Sequence, residues 1–181
     1  MLKFLLLFFL ISLSNQVYAN NKDQIINKLK NTSNLNFDFE QNINGEVELG
    51  NCTIQYPKKM FCEYDKKNKV MVSNGKSLVI KSKSSYYRYA LNKTPLNFIL
   101  DKNFLLKKIS ELNEEIINDS LIKFTIKENN QLIDIFFDIK NYELIGWQTK
   151  DIYQNTAVTL LYSIKLNQVV NEKIFKTPLQ N

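Results

Sequence analysis

The chain has 181 residues and a formal net charge of +6, from 24 Lys and Arg against 18 Asp and Glu, with no histidine and two cysteines. The missing histidine removes imidazole acid–base catalysis, histidine triads and the common zinc sites, and two cysteines alone cannot hold a structural zinc. Arg88 is the sole arginine, the residue type that dominates phosphate and base recognition, so the positive charge reads as a solvated lysine surface and not as a nucleic-acid site.

Lys3, the apolar run 4–13 and the small-residue site Val17-Tyr18-Ala19 have the layout of a secretory signal peptide, and the run is too short to span a bilayer. Cleavage after Ala19 is expected to leave residues 20–181 as one soluble domain outside the cytoplasm, in an oxidising compartment. No cysteine lies near the cut, so the mature protein is not expected to be a lipid-anchored lipoprotein.

Residues 21–31 carry Ile25, Ile26 and Leu29 on one helical face. Period-two segments then dominate: 35–43, 46–56, 60–64, 69–73, 77–82, 85–91, 113–117, 121–127, 131–139, 143–149 and 156–166. The breaks between them hold turn residues such as Asn44-Gly45, Asn74-Gly75 and Asn129-Asn130. The stretch 91–101 differs. Thr94 can cap, Pro95 suits a first helical position, and Leu96, Ile99 and Leu100 form an apolar stripe. These elements predict a mainly β fold of about eleven strands in one strongly curved antiparallel sheet, with short helices between its halves.

No catalytic motif can be assembled. Four glycines, Gly45, Gly50, Gly75 and Gly146, make no phosphate-binding loop or nucleophile elbow. Asp134 and Asp138 read as carboxylates facing solvent near strand ends, and Glu114-Glu115 as a loop edge. Nothing in these residues points to an enzyme, cofactor or metal site, and an enzyme whose carboxylates do all the work is the alternative that stays open.

Cys52 and Cys62 have the same parity in the stretch GNCTIQYPKKMFCEYD, residues 50–65. In an even-register hairpin both side chains leave one face. They oppose each other if the turn centres on Pro57 and are diagonal neighbours if it centres on Lys58. A directly opposed pair lies within disulfide reach, and the bridge is expected to pin an edge hairpin. Free buried thiols and a redox pair are the rival readings.

The same hairpin, followed by KVMVSNGKSLVI, YYRYALNKTPLNFIL, ELIGWQTKD and KIFKTP, resembles the LolA family of periplasmic outer-membrane lipoprotein carriers, of the alphaproteobacterial type. The resemblance runs from Phe37 to Pro178. It implies an incomplete, unclosed antiparallel β-barrel whose mouth is covered by helices and whose apolar interior receives the acyl chains of lipoproteins. It also implies an inner-membrane ABC transporter as donor, an outer-membrane lipoprotein as acceptor, and a monomeric carrier. On that reading alternation offers Phe37, Phe39, Met60, Cys62, Tyr64, Ile133, Ile135 and Phe137 as cavity lining, and Leu96, Ile99 and Leu100 as lid. The family's usual arginine before the hairpin proline, a latch on lid carbonyls, is replaced by Tyr56, which offers one hydroxyl donor and no charge. The alternative is a periplasmic sensor or regulator that binds lipid or protein on the same half-barrel.

Overall fold

Alternating side chains bury one face of a strand and leave the other to water, and eleven such strands join here into a single antiparallel sheet. The structure, a computed structural model, describes residues 20–66, 68–150 and 154–180. The expected leader, residues 1–19, lies outside them. No helix among the described residues is long and apolar enough to cross a membrane.

Helix α1 (Asn21–Lys30) starts at Asn20, whose side chain accepts from the Lys22 amide at 2.6 Å, so a donor without a partner inside the helix is satisfied. Ile25 and Leu29, one turn apart, are buried. Strands β1 (Asn34–Ile43) and β2 (Glu46–Gln55) are joined by Asn44-Gly45 at φ 53° and 90°, the left-handed pair that a tight hairpin needs. Strands β3 (Lys59–Tyr64), β4 (Lys69–Asn74), β5 (Ser77–Lys81) and β6 (Tyr86–Ala90) continue the meander. A 3-10 turn (Leu91–Lys93), α2 (Leu96–Ile99) and α3 (Lys102–Glu111) then carry the chain to β7 (Glu115–Ile117). Strands β8 (Leu121–Glu128), β9 (Gln131–Asp138), β10 (Leu144–Lys150) and β11 (Thr156–Leu166) return, and a 3-10 turn (Glu172–Phe175) follows.

The strand order is β6-β5-β4-β3-β2-β1-β11-β10-β9-β8-β7. The sheet is not closed: β6 and β7 are its edges, and β1 pairs with β11 at its middle. Two half-meanders thus grow from one central pair, and the helices fill the concavity between them. Ile25 and Leu29 of α1, Phe98 and Ile99 of α2, and Leu105 and Ile109 of α3 belong to one core cluster with the inner face of the sheet.

Four details depart from the sequence reading. Helix α3 was not among the expected elements; Asp101 caps it, accepting from the Phe104 amide at 3.1 Å, and Leu105 and Ile109 are fully buried. Thr94 does not cap α2, because its hydroxyl donates back to the Leu91 carbonyl at 2.8 Å. The β2–β3 hairpin is not an edge hairpin, since β1 and β4 flank it. Finally, the outer face carries a small core of its own. Val72 and Val79 are opposed across β4 and β5 and buried, and Phe175 is buried in the C-terminal turn that packs on β3 and β4. Beyond it the chain straps the sheet: Lys81 donates to the Leu179 carbonyl, and the Tyr86 hydroxyl to that of Pro178.

Candidate functional site: a filled concavity

The inner face follows from register. Phe37 opposes Cys52 on β2, and Cys52 opposes Cys62 on β3; Phe39 opposes Gly50, which opposes Tyr64; Ile135 opposes Trp147 on β10 and Phe124 on β8. All eight residues expected to share one lining, Phe37, Phe39, Met60, Cys62, Tyr64, Ile133, Ile135 and Phe137, are buried in one cluster. Cys52 and Cys62 are directly opposed and disulfide-bonded, with Cα atoms 4.1 Å apart. The bridge therefore lies on the concave face in the middle of one half-sheet.

Gly50 sets the packing at one point of this lining. A Cβ there would fall 2.1 Å from the Glu63 carbonyl oxygen and 2.9 Å from the Phe39 ring. With no side chain in the way, Phe39 lies across β2 and meets Tyr64 edge to face, ring centroids 5.0 Å apart. Toward the end of the concavity away from the β2–β3 turn the lining turns polar. The Tyr64 hydroxyl donates to Gln41 Oε1 at 3.2 Å, Gln41 Nε2 donates to Thr159 Oγ1 at 3.0 Å, and Lys69 pairs with Glu48 above the Tyr64 ring. Burial, and then the Glu48 charge, push the Tyr64 phenol upward, so it stays a neutral donor.

The segment expected to form the lid, with α3, fills the rest. Ile99 and Leu100 are fully buried, Phe98 nearly so, and Leu96 is half-buried against the core. Leu105 and Ile109 add a second row that the sequence reading missed. Their i, i+4 spacing after Asp101, an N-cap residue type, was the available signal. Between α1 and the ends of β9 and β10 a crevice of about 10 Å³ has room for about one water and none for an acyl chain. The interior of the concavity is thus occupied by side chains of its own helices.

The contacts between the β2–β3 turn and the helices differ from the latch implied by the family pattern. Tyr56 is 9% exposed and faces the core, yet its hydroxyl has no hydrogen-bond partner among the described residues. It does not bond the lid. Lys58, at φ 65°, turns its amide onto the Leu100 carbonyl at 2.8 Å, and its ammonium pairs with Asp101 at 3.2 Å. Lys102 ties α3 to the end of α1 by donating to the carbonyls of Lys30 and Thr32, at 3.2 and 3.0 Å. The hairpin thus meets the helices two residues beyond Tyr56, through a backbone amide and a partly exposed ion pair, and α3 is tied to β8 by the Lys108–Glu128 pair at 3.0 Å.

The carboxylates set aside in the sequence have structural partners. Asp134 accepts from the Thr125 hydroxyl at 2.6 Å, and Asp138 accepts from the amides of Lys140 and Asn141 in the β9–β10 turn. Glu115 pairs with Lys123 across the β7–β8 edge.

No curated protein matches the chain by sequence. An uncharacterized conserved protein from Thermus thermophilus superposes with a TM-score of 0.51 at 7% identity, covering 88% of this chain and 95% of that one. The LolA superfamily protein NE2245 from Nitrosomonas europaea aligns over 88% of this chain and 99% of its own, at 10% identity and a TM-score of 0.44. LprF from Mycobacterium bovis covers 83% and 95%, at 11% identity and a TM-score of 0.44. The family model described as outer membrane lipoprotein carrier protein LolA matches residues 30–178, the greater part of the chain, and the chain belongs to that family.

Proposed function

We propose that this protein is a periplasmic carrier that takes the acyl chains of lipoproteins into its concavity. It would accept them from an inner-membrane ABC transporter and deliver them to an outer-membrane acceptor. Members of its family are periplasmic binding and carrier proteins rather than enzymes. The observation that carries the reading is the filling of an unclosed apolar concavity by the apolar side chains of short helices.

The energetics suit exchange. A buried methylene contributes about 0.8 kcal/mol, so a long acyl chain gains roughly 10 kcal/mol on leaving water. Phe98, Ile99, Leu100, Leu105 and Ile109 are buried in the closed form, and at about 2 kcal/mol each they represent roughly 10 kcal/mol as well. Cargo and lid compete for the same surface at comparable worth. Loading is then neither forbidden nor irreversible, which a carrier that must release its cargo requires.

Isolation from periplasm under mild conditions, with mass spectrometry of what co-purifies, tests the reading. Acylated lipoproteins bound one to one support it. A single unacylated protein partner, with no acyl chains present, replaces it by the sensor reading.

A further inference from the structure

We propose that the Tyr56 hydroxyl is the hydrogen-bond donor to the ester carbonyl of an acyl chain held in the concavity, an assignment that rests on the carrier reading above. A buried hydroxyl without a partner is destabilising, and buried polar groups are nearly always paired. Tyr56 breaks that rule in the closed form. Its orientation is fixed from behind: the backbone amide donates to the Ser33 carbonyl at 3.0 Å, and the parity of Ile54 and Tyr56 at the end of β2 turns the ring to the concave face. The lid that fills the concavity brings apolar side chains, and the lid carbonyl that meets this hairpin, that of Leu100, is taken by the Lys58 amide. The missing acceptor is one that arrives when the lid leaves.

The chemistry of that acceptor follows from position. Tyr56 follows the last residue of β2, two residues before the Lys58 amide that meets Leu100, so a ligand that displaced these helices would bring its polar joint level with the ring when its hydrocarbon filled the apolar interior. Lys102 Nζ stands 5.9 Å from the ring centroid, but it is engaged by two carbonyls at the end of α1. Burial pushes the phenol upward, which keeps it a neutral donor. A neutral donor at the mouth of an apolar cavity fits a neutral acceptor on an otherwise apolar chain, and the carbonyl of an acyl ester is that group.

The test uses two synthetic peptides, one carrying S-(2,3-dipalmitoyloxypropyl)cysteine and one its dialkyl ether analogue, which keeps the chains and lacks the carbonyls. Calorimetric titration of the wild-type protein is expected to favour the ester by about tenfold, the worth of one net hydrogen bond. Tyr56→Phe should bind both peptides equally, at the ether's affinity. It should also melt at a higher temperature when ligand-free, because the unpaired hydroxyl is gone. An ester preference that survives in Tyr56→Phe overturns the assignment and leaves the carrier reading intact. If the wild-type protein binds neither peptide, both fall.

Discussion

The Lys58 amide donates to the Leu100 carbonyl at 2.8 Å, and this bond crosses from the β2–β3 turn to the lid. The Lys58 side chain adds the Asp101 pair at 3.2 Å, with both side chains about one-third exposed. Exposed ion pairs contribute about 0–1 kcal/mol, so the pair by itself is a weak clasp. Asp101 also caps α3 through the Phe104 amide, and loss of an N-cap costs about 1 kcal/mol. Asp101→Ala should therefore loosen the lid more than Lys58→Ala, which keeps the backbone bond. Amide hydrogen exchange over residues 96–111 measures both, and equal protection in the two variants would count against this division.

Truncating the lid should have the opposite effect on binding from charging the sheet. Leu100 and Ile135 are both fully buried. Leu100→Ala removes about 2–5 kcal/mol from the closed form. If the lid is displaced by cargo, that loss favours loading, and affinity for an environment-sensitive apolar dye should rise. Ile135→Asp puts a carboxylate on the surface that both lid and ligand need, and should abolish dye binding and lower the melting temperature. A fall in dye affinity for Leu100→Ala would show that this residue stays in contact with ligand.

The glycine positions give a prediction that separates close approach from backbone freedom. Gly50→Ala drives a Cβ into the Glu63 carbonyl and the Phe39 ring. Neither can retreat cheaply, since one is backbone in the sheet and the other is buried, and a loss of about 3 kcal/mol or more is expected. Gly45→Ala meets nothing within 4 Å, and only its φ of 90° resists, at about 1–2 kcal/mol. Chemical denaturation should rank the two in that order.

The strands were legible because a one-residue slip would turn the whole set of apolar side chains to water. The segment 156–166 matches β11 (Thr156–Leu166), and the parity of Cys52 and Cys62 survives as direct opposition. Pairing between the halves was not legible. Leu35 finds Leu166 across the whole chain, and no local pattern reports a contact of that separation. That is why the β2–β3 hairpin was misplaced at an edge. Helix α3 was missed because its apolar residues, Phe104 to Leu106 and Ile109, follow directly on α2, so two helices read as one short helix and a loop. The Tyr56 position was legible as an anomaly, but its meaning depended on Lys58 two residues later.

Losing the Cys52–Cys62 bridge should lower stability without changing the fold. The two residues are 10 apart in sequence, and the chain-entropy contribution for so short a loop is roughly 2–3 kcal/mol. Cys52→Ala with Cys62→Ala should lower the melting temperature, and reductant should do the same to the wild type. Thiol titration of the unfolded, unreduced protein should find no reactive thiol.

Acid should release the C-terminal strap before it unfolds the sheet. Glu172 is held by hydrogen bonds from Lys59 at 2.6 Å and from Gln55, and these keep its carboxyl below the ordinary value of 4.5. A carboxyl whose folded pKa is depressed contributes stability that is fully present above its unfolded pKa and is lost as pH falls through the folded one. The strap contact should therefore be intact at neutral pH and weaken from about pH 4.5 downward. Phe175 and the Val72–Val79 patch remain packed through apolar contact, so release begins at Glu172 and leaves the inner core untouched. Hydrogen exchange of residues 172–178 at about pH 7 and about pH 3.5 should show the loss, and Glu172→Gln should give the acid pattern already at neutral pH. Equal protection of this segment at both pH values would mean that the apolar contacts alone hold it.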